Sequence, residues 1–378
     1  MMEMSFWEAE SFIGHPDVLI IGSGIVGLNA AIHIKTISPL LRVLVVERGP
    51  LPSGASTRNA GFACFGSMTE LLADLSAQPA DAVAGLVEKR WAGLKKLRSL
   101  LGDSAIGYEH YGGYEIFTAK DRLVFEKCQD RMSEINQMLY AIIGEKTVFR
   151  IENDRIASLG FAGVEKMIAN VAEGQIDTGK MMATLIARAR ALNVEIINGL
   201  GIRELFDQGD RVGVKCENEW EFFSSRVLVA TNGFARKLFP ALAVNPGRNQ
   251  VWITDPIPGW KVRGCYHYDE GYVYFRNVGN QLLIGGARNK DFEGETTDQA
   301  GSTAVIQGEL HRLVDEMILP GIKWTISRRW SGIMGLGKTK TPIVEKISPN
   351  VAVSVRLGGM GVAIGAQTGQ EGGELILS

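Results

Sequence analysis

The residues best placed to do chemistry come early in the chain. Gly22, Gly24 and Gly27 follow the apolar run Val18-Leu19-Ile20-Ile21, and Glu47 closes a second apolar run, Val43-Leu44-Val45-Val46. That order reads as a buried strand, a glycine turn, a helix and a second strand ending in an acid, the pattern that binds a dinucleotide. Gly22 permits the tight turn, Gly24 lets the backbone approach a pyrophosphate, and Gly27 lets the helix pack close to the sheet. The phosphates meet the free N–H groups and the positive end of the helix that begins near Ile25. Ser23, Ile25 and Val26 therefore join the glycines as candidate cofactor-binding residues. Glu47 lies 20 residues past Gly27, where an acid can hold a ribose diol.

A second glycine pattern competes for attention. Gly332-Ile333-Met334-Gly335-Leu336-Gly337-Lys338-Thr339 matches the GxxxxGK[ST] of nucleotide triphosphatases. Such a loop needs a helix after it, and Pro342 pushes the preceding residue toward extended conformations. No strand ending in an acid follows to hold magnesium, so the stretch reads as a glycine-rich connection instead.

The elements that must position these residues follow from periodicity. Gly54 to Phe62 is small, polar and bracketed by glycine, hence a loop. Asp81–Leu101 and Leu123–Ile143 carry helical spacing, as do Thr178–Leu192, capped by Asp177 or Thr178, and Asp298–Ile318. Gly113–Thr118 and Val194–Ile197 read as strands, and Arg211–Cys216 with Trp220–Phe223 as a hairpin. Arg226–Val229 is a buried strand that ends in the small-residue turn Ala230-Thr231-Asn232-Gly233. Gly247–Gly285 alternates and is rich in aromatics, which predicts antiparallel strands. Trp324–Met334 and Asn350–Arg356 are further strands. A glycine turn at Gly358–Gly361 leads into a closing helix, Val362–Leu377.

Composition narrows the class. The 378 residues suffice for two domains or one large α/β unit, and 46% hydrophobic with 22% charged is the balance of a soluble globular protein. A formal net charge of −2 gives no reason to expect nucleic acid. Cys64, Cys128, Cys216 and Cys265 are scattered without a CxxC, so no zinc knuckle, short redox disulfide or other metal set is read, and a reducing compartment is expected. The N-terminus from Met1 to Glu8 is acidic, without a basic or apolar leader region, and no apolar run reaches membrane-spanning length. The expected location is the cytoplasm.

Taken together, these motifs resemble the D-amino-acid oxidase superfamily of FAD-dependent oxidoreductases, and within it the glycine oxidase and sarcosine oxidase group. Gly22-x-Gly24-x-x-Gly27 with Glu47-Arg48-Gly49 is similar to the family's adenosine-binding half. Gly54-Ala55-Ser56 and Arg58-Asn59-Ala60-Gly61 are similar to the loop along the flavin, which also takes in Thr57. Ile202 stands where the family's backbone meets the adenine. Ala230, Thr231 and Gly233 match a later turn. Tyr266-His267 through Arg276, Leu283 to Ala287 and Trp330-Ser331-Gly332 are similar to glycine oxidase's substrate-domain strands. Gly358, Gly359, Met360, Gly361 and Val362 match the closing turn and helix that meet the isoalloxazine, with Arg356 just before them. The likeness covers nearly the whole chain and is weakest from Leu71 to Gly160.

The resemblance implies an α/β fold: a discontinuous Rossmann-like FAD domain (1–85, 160–245 and 335–378) and an α+β substrate domain with a mainly antiparallel sheet (86–159 and 246–334). It implies oxidation of a C–N bond of a small amine or amino acid by hydride transfer to flavin N5, with oxygen or another acceptor taking the electrons. Oxidation of a 2-hydroxy acid, or a non-catalytic FAD-binding subunit of a heteromeric dehydrogenase, remain alternatives. The sequence does not fix an oligomeric state. Two departures stand out. The family's carboxylate-binding arginine is replaced by Met334, which cannot pair with an anion, and Met334 also cannot form the cysteinyl link to flavin seen in sarcosine oxidases, so FAD is expected to be non-covalent. Arg356 is the expected substitute anchor, with Arg276, Arg248 and Lys338 behind it. Tyr266 and Tyr272 are the expected substrate-side hydroxyls. His267 is expected on the opposite face of its strand from Tyr266, away from the site.

Overall fold

The computed structural model describes residues 4–378. The first residues of the segment 1–85, and of the acidic N-terminal stretch, lie outside them. Two sheets dominate. The first holds six strands in the order Ile343–Ser348, Val351–Val355, Arg226–Val229, Val18–Ile21, Val43–Glu47 and Glu195–Asn198. All neighbours run parallel except Ile343–Ser348 with Val351–Val355. Val18 to Ile21 are all buried, as a parallel strand covered on both faces requires. Against this sheet lie the opening helix Ile25–Ile37 and the closing helix Gly361–Leu377. They touch along a glycine row: a Cβ at Gly369 would sit 2.6 Å from the Val26 carbonyl oxygen, and one at Gly365 2.7 Å from the Ile25 side chain. The closing unit therefore returns to the opening one, as the sequence implies.

The second sheet holds eight strands: Ile326–Leu336, Asn245–Thr254, Gln281–Gly286, Val273–Val278, Cys265–Tyr268, Gly113–Thr118, Val164–Asn170 and Phe149–Ile151. Its pairings are antiparallel except Cys265–Tyr268 with Gly113–Thr118. One face packs Trp252, Tyr266 and Phe275 onto the helix Ala304–Leu313. A smaller three-stranded sheet contains the expected hairpin, now Val212–Cys216 with Glu221–Ser224.

Several boundaries move. The stretch expected to be loop at 54–62 contains a single turn of helix, Ala55–Arg58. Residues 298–303 stay out of the helix expected from Asp298, because Thr303 donates its N–H to Gln250 (3.1 Å) and its hydroxyl to Glu295 (3.0 Å). The GxxxxGK[ST] stretch begins inside the strand Ile326–Leu336 and no helix follows it. The division drawn at 85/86 cuts the helix Ala80–Leu101, whose Gly93 packs against the backbone of Ala363. The strand Val164–Asn170, grouped by sequence with the FAD unit, belongs to the eight-stranded sheet. No described helix is long and apolar enough to cross a membrane.

Candidate active site

A cavity of about 640 Å³ runs between the two sheets. At one end the turn Gly22–Gly24 leads into the opening helix. Gly22 has φ +106, and its N–H donates to the Val46 carbonyl (2.8 Å). A Cβ at Gly27 would overlap the Gly22 carbonyl oxygen, so glycine there sets how close helix and strand can lie. Glu47 lines the cavity and accepts from Ser23 N–H (3.2 Å), Ser23 hydroxyl (3.0 Å) and Gly49 N–H (3.1 Å). Arg48, with its guanidinium 4.5 Å over the Phe234 ring, lines the same end with Leu200, Ile202, Ala230 and Thr231. The Thr231 hydroxyl is buried without a partner, and so is Asn249 Oδ1 further along. Orphaned polar atoms in a cavity wall call for a polar ligand in the cavity.

The loop after the second strand forms one long wall. Ser56 accepts the Ile25 N–H (2.9 Å), and Asn59 ties its own turn by donating to Ala55 and Ser56 carbonyls (3.1 and 2.9 Å). Arg58 donates to Ser331 O (2.9 Å) and accepts from the Trp330 indole (2.9 Å), which fixes the loop to the eight-stranded sheet. Arg276 is buried and donates to the Ala60 and Ile176 carbonyls, so it braces the loop at Ala60–Gly61 and is not free to bind a substrate. Arg248 is equally committed, in a buried pair with Glu295 at 2.8 Å.

At the far end the closing turn meets the sheet. Gly358 (φ +58) and Gly359 (φ +85) let the chain double back into the closing helix, whose first turn has no side-chain cap. Met334 Sδ lies 3.5 Å from where a Gly359 Cβ would be, and Cys64 Sγ is 3.9 Å from Met360 Sδ. Asn249 donates to Tyr274 hydroxyl (3.0 Å), and the Phe62 ring meets both His267 and Tyr274 edge-on, at 5.2 and 5.5 Å. His267 pairs with buried Glu173 at 2.7 Å. Burial alone would lower the His267 pKa, but Glu173, with Glu70 and Glu115 behind it, pushes it up to about 9. Burial raises Cys64 far above the usual thiol range, so it stands as a neutral thiol.

The geometry gathers most of the expected residues and corrects others. Gly22, Gly24, Ile25, Val26, Glu47, Arg48, Ser56, Arg58 to Gly61, Ile202, Ala230, Thr231, Met334, Tyr272 and Gly358 to Val362 line the cavity. Ser23, Gly27, Thr57 and Gly233 stand behind it and shape its backbone. Tyr266 does not reach it. That ring is buried, stacks on Phe275 (4.9 Å) and Tyr114 (5.1 Å), and donates its hydroxyl to Arg263 O (3.2 Å). The strand does alternate as expected, but the face that meets the cavity carries His267. Arg356 also turns away. At φ +66 its side chain leaves the closing strand and donates to Thr341 O and Ala243 O, both at 3.0 Å. Arg356→Ala is expected to cost about 1 kcal/mol of stability through those bonds and to leave KM unchanged, which thermal melts and steady-state kinetics would show.

Sequence reading also passed over residues that line the cavity: Cys64, Asn249, Tyr274 and Arg288. Cys64, Glu173 and His267 each bring one atom within 4.8 Å of the others, a grouping hidden by their separation along the chain.

Comparison with known proteins fits this architecture. The chain is 23% identical over 377 residues to the probable oxidoreductase OrdL of Rhizobium meliloti (strain 1021), covering 96% of this chain and 83% of that protein. Among solved structures, glycine oxidase from Geobacillus kaustophilus superposes with a TM-score of 0.75 at 18% identity, covering 96% of this chain and 95% of the other. L-proline dehydrogenase from P. horikoshii gives 0.75 at 16% identity, over 96% and 93% of the two chains. Iminodiacetate oxidase from Chelativorans sp. BNC1 gives 0.75 at 19%, over 95% of both. The family model for FAD-dependent oxidoreductases (DAO) matches residues 17–375, the span that carries both sheets and the cavity between them, and the chain belongs to that family.

Proposed function

We propose that this FAD-dependent oxidoreductase oxidises a C–N bond in a small amine or amino acid. The cavity suits the cofactor: the opening helix starts on it at Ile25, the closing helix starts on it at Gly361 without a side-chain cap, and three buried polar atoms in its wall, on Asp74, Thr231 and Asn249, lack partners. Glu47 would hold the ribose, the Gly22–Val26 backbone the pyrophosphate, and the Ala60–Gly61 and Gly358–Val362 stretches the ring system. Bound FAD supplies a two-electron acceptor for the hydride leaving the substrate carbon. Cys64 is the one cysteine in the described cavity wall, and its buried neutral thiol supports non-covalent binding.

The observation that carries the choice of substrate is the His267–Glu173 pair. An alcohol must shed its hydroxyl proton as hydride departs, which calls for a base. His267 is the imidazole of the cavity wall, and, against the effect of burial, Glu173 pushes its pKa up to about 9, which favours the protonated ring and disfavours it as a base. An amine can give its ammonium proton to water before it reacts, and loss of hydride from the free base then leaves an iminium directly, so no base in the cavity is required. The glycine oxidase and iminodiacetate oxidase likeness supports the same reading. With FAD-loaded protein under anaerobic conditions, a panel of amines and amino acids is expected to bleach the flavin bands while matched 2-hydroxy acids leave them intact. Bleaching by hydroxy acids alone would overturn the proposal, and no bleaching by either panel would point to a silent subunit.

A further inference from the structure

Seven cationic side chains line the cavity, and six of them have a partner or stand in solvent. Arg48 is exposed at the Glu47 end over the Phe234 ring, and Arg58 is held by carbonyls. Lys237, Lys340 and His267 are paired with Asp298, Asp74 and Glu173. Lys338 is exposed. Arg288 differs from all of these. It is half-buried, and among the described residues its guanidinium has no hydrogen bond or ion pair. Its one close contact is the Phe292 ring at 4.8 Å. Glu295, the acid nearest in influence, is already bidentate with Arg248 at 2.8 and 2.9 Å. Burial lowers the Arg288 pKa, and the pull of Tyr272 and Glu295 does not restore it.

A half-buried guanidinium that opens on a cavity without a protein counter-charge has its planar fork of donors free to take a carboxylate there. Its setting is also built. Ala287, the residue before it, has φ +58, a strained conformation for a side chain, and this turn ends the strand Gln281–Gly286 beside the cavity. Gly247 lies beside the arginine stem: a Cβ there would make an ordinary contact, 4.0 Å, with Arg288 Cδ, and would overlap the Leu336 side chain. Across the ladder from Gly247 stands Met334. Tyr272, which contacts Phe292 edge-on at 5.7 Å, places a hydroxyl on the same part of the wall.

We propose that Arg288 is the anion anchor of the substrate cavity, so that the molecule oxidised is an amino or imino acid held by its carboxylate, not a simple amine. This rests on the C–N reading above but is tested apart from turnover. FAD-loaded protein is titrated with benzoate and benzamide, and with propionate and propionamide, while the visible flavin spectrum is followed. Each carboxylate is expected to bind more tightly than its amide. Arg288→Gln is expected to weaken carboxylate binding about tenfold to a hundredfold, the cost of losing a charge-assisted bidentate contact, and to leave amide binding unchanged. Arg288→Lys, which keeps the charge but not the fork, is expected to fall between, and it carries the comparison if the glutamine variant loses flavin. Equal binding of acid and amide by the parent protein, or unchanged benzoate affinity in both variants, would overturn the anchor. Carboxylate binding that depends on Arg288 without bleaching by any amine or amino acid would overturn the C–N reading alone.

Discussion

Gly27→Val is expected to produce protein that keeps little or no flavin after reconstitution and melts well below the parent. A Cβ at this position would overlap the Gly22 carbonyl and approach Ile20 Cγ2 to 3.2 Å. Neither neighbour can yield. Ile20 and Ile21 are hydrogen-bonded into strands on both sides, and the Gly22 N–H is fixed to Val46. The opening helix must lift instead, which breaks its contact with the closing helix along Gly365 and Gly369 and moves the N–H groups proposed to hold the pyrophosphate. Overpacking of this kind costs about 3 kcal/mol, at the upper end of its usual range. Gly308→Ala, in the helix Ala304–Leu313 away from the cavity, is the control, because a Cβ there meets nothing within 4 Å. Flavin absorbance per protein and thermal melts give both readouts. Normal flavin content in Gly27→Val would show that close helix–strand packing does not set the cofactor site.

The second large effect is expected at His267. His267→Gln leaves Glu173 fully buried without its counter-charge, and removing one member of a buried pair costs about 3–5 kcal/mol. Pairing the change with Glu173→Gln should restore much of this, since an amide pair needs no neutralising. The pH dependence has a definite sign. His267 titrates near 6.5 when unfolded and at about 9 when folded, so its stabilisation is complete below pH 6.5 and lost as pH rises through 9. Burial likewise pushes Glu115 up to about 7, against the hydrogen bonds it accepts from Thr69. It therefore favours folding most at low pH and loses that contribution between about 4.5 and 7. Melts of the parent should weaken across both windows. His267→Gln should flatten the upper one and Glu115→Gln the lower. An upper window unaltered by His267→Gln would refute the imidazolium assignment, and with it the argument favouring amines.

The FAD-binding unit is legible in the sequence because its signals are local. The glycine spacing, the two apolar runs and the acid at Glu47 all fall within one strand–helix–strand unit, and the return of the closing unit follows from a second glycine turn. What escapes is which face of a strand meets which layer. Alternation separates Tyr266 from His267 but cannot say which of them points at the cavity. The partners that decide it, Phe275 and Tyr114 for one and Glu173 for the other, come from other strands. Arg356 is misread for a related reason: the strand ends at Val355, and a positive φ at the next residue reverses the side chain. Arg288 is missed because its importance lies in what it lacks, a partner, and no spacing rule reports that.

The glycine row between the opening and closing helices has a consequence for how the protein is made. The opening helix leaves the ribosome long before its packing partner, with Ile25, Leu28, Ala31 and Ile34 exposed, and that partner arrives only after both sheets have been synthesised. Contacts of such long sequence separation form late and slowly. The nascent chain must therefore carry an uncovered apolar helix through most of its synthesis, the state in which large α/β chains aggregate or engage chaperones. A cavity lined by distant stretches of chain cannot template its own early folding, so, if it is the proposed flavin site, flavin should be captured as the last step of maturation and not the first.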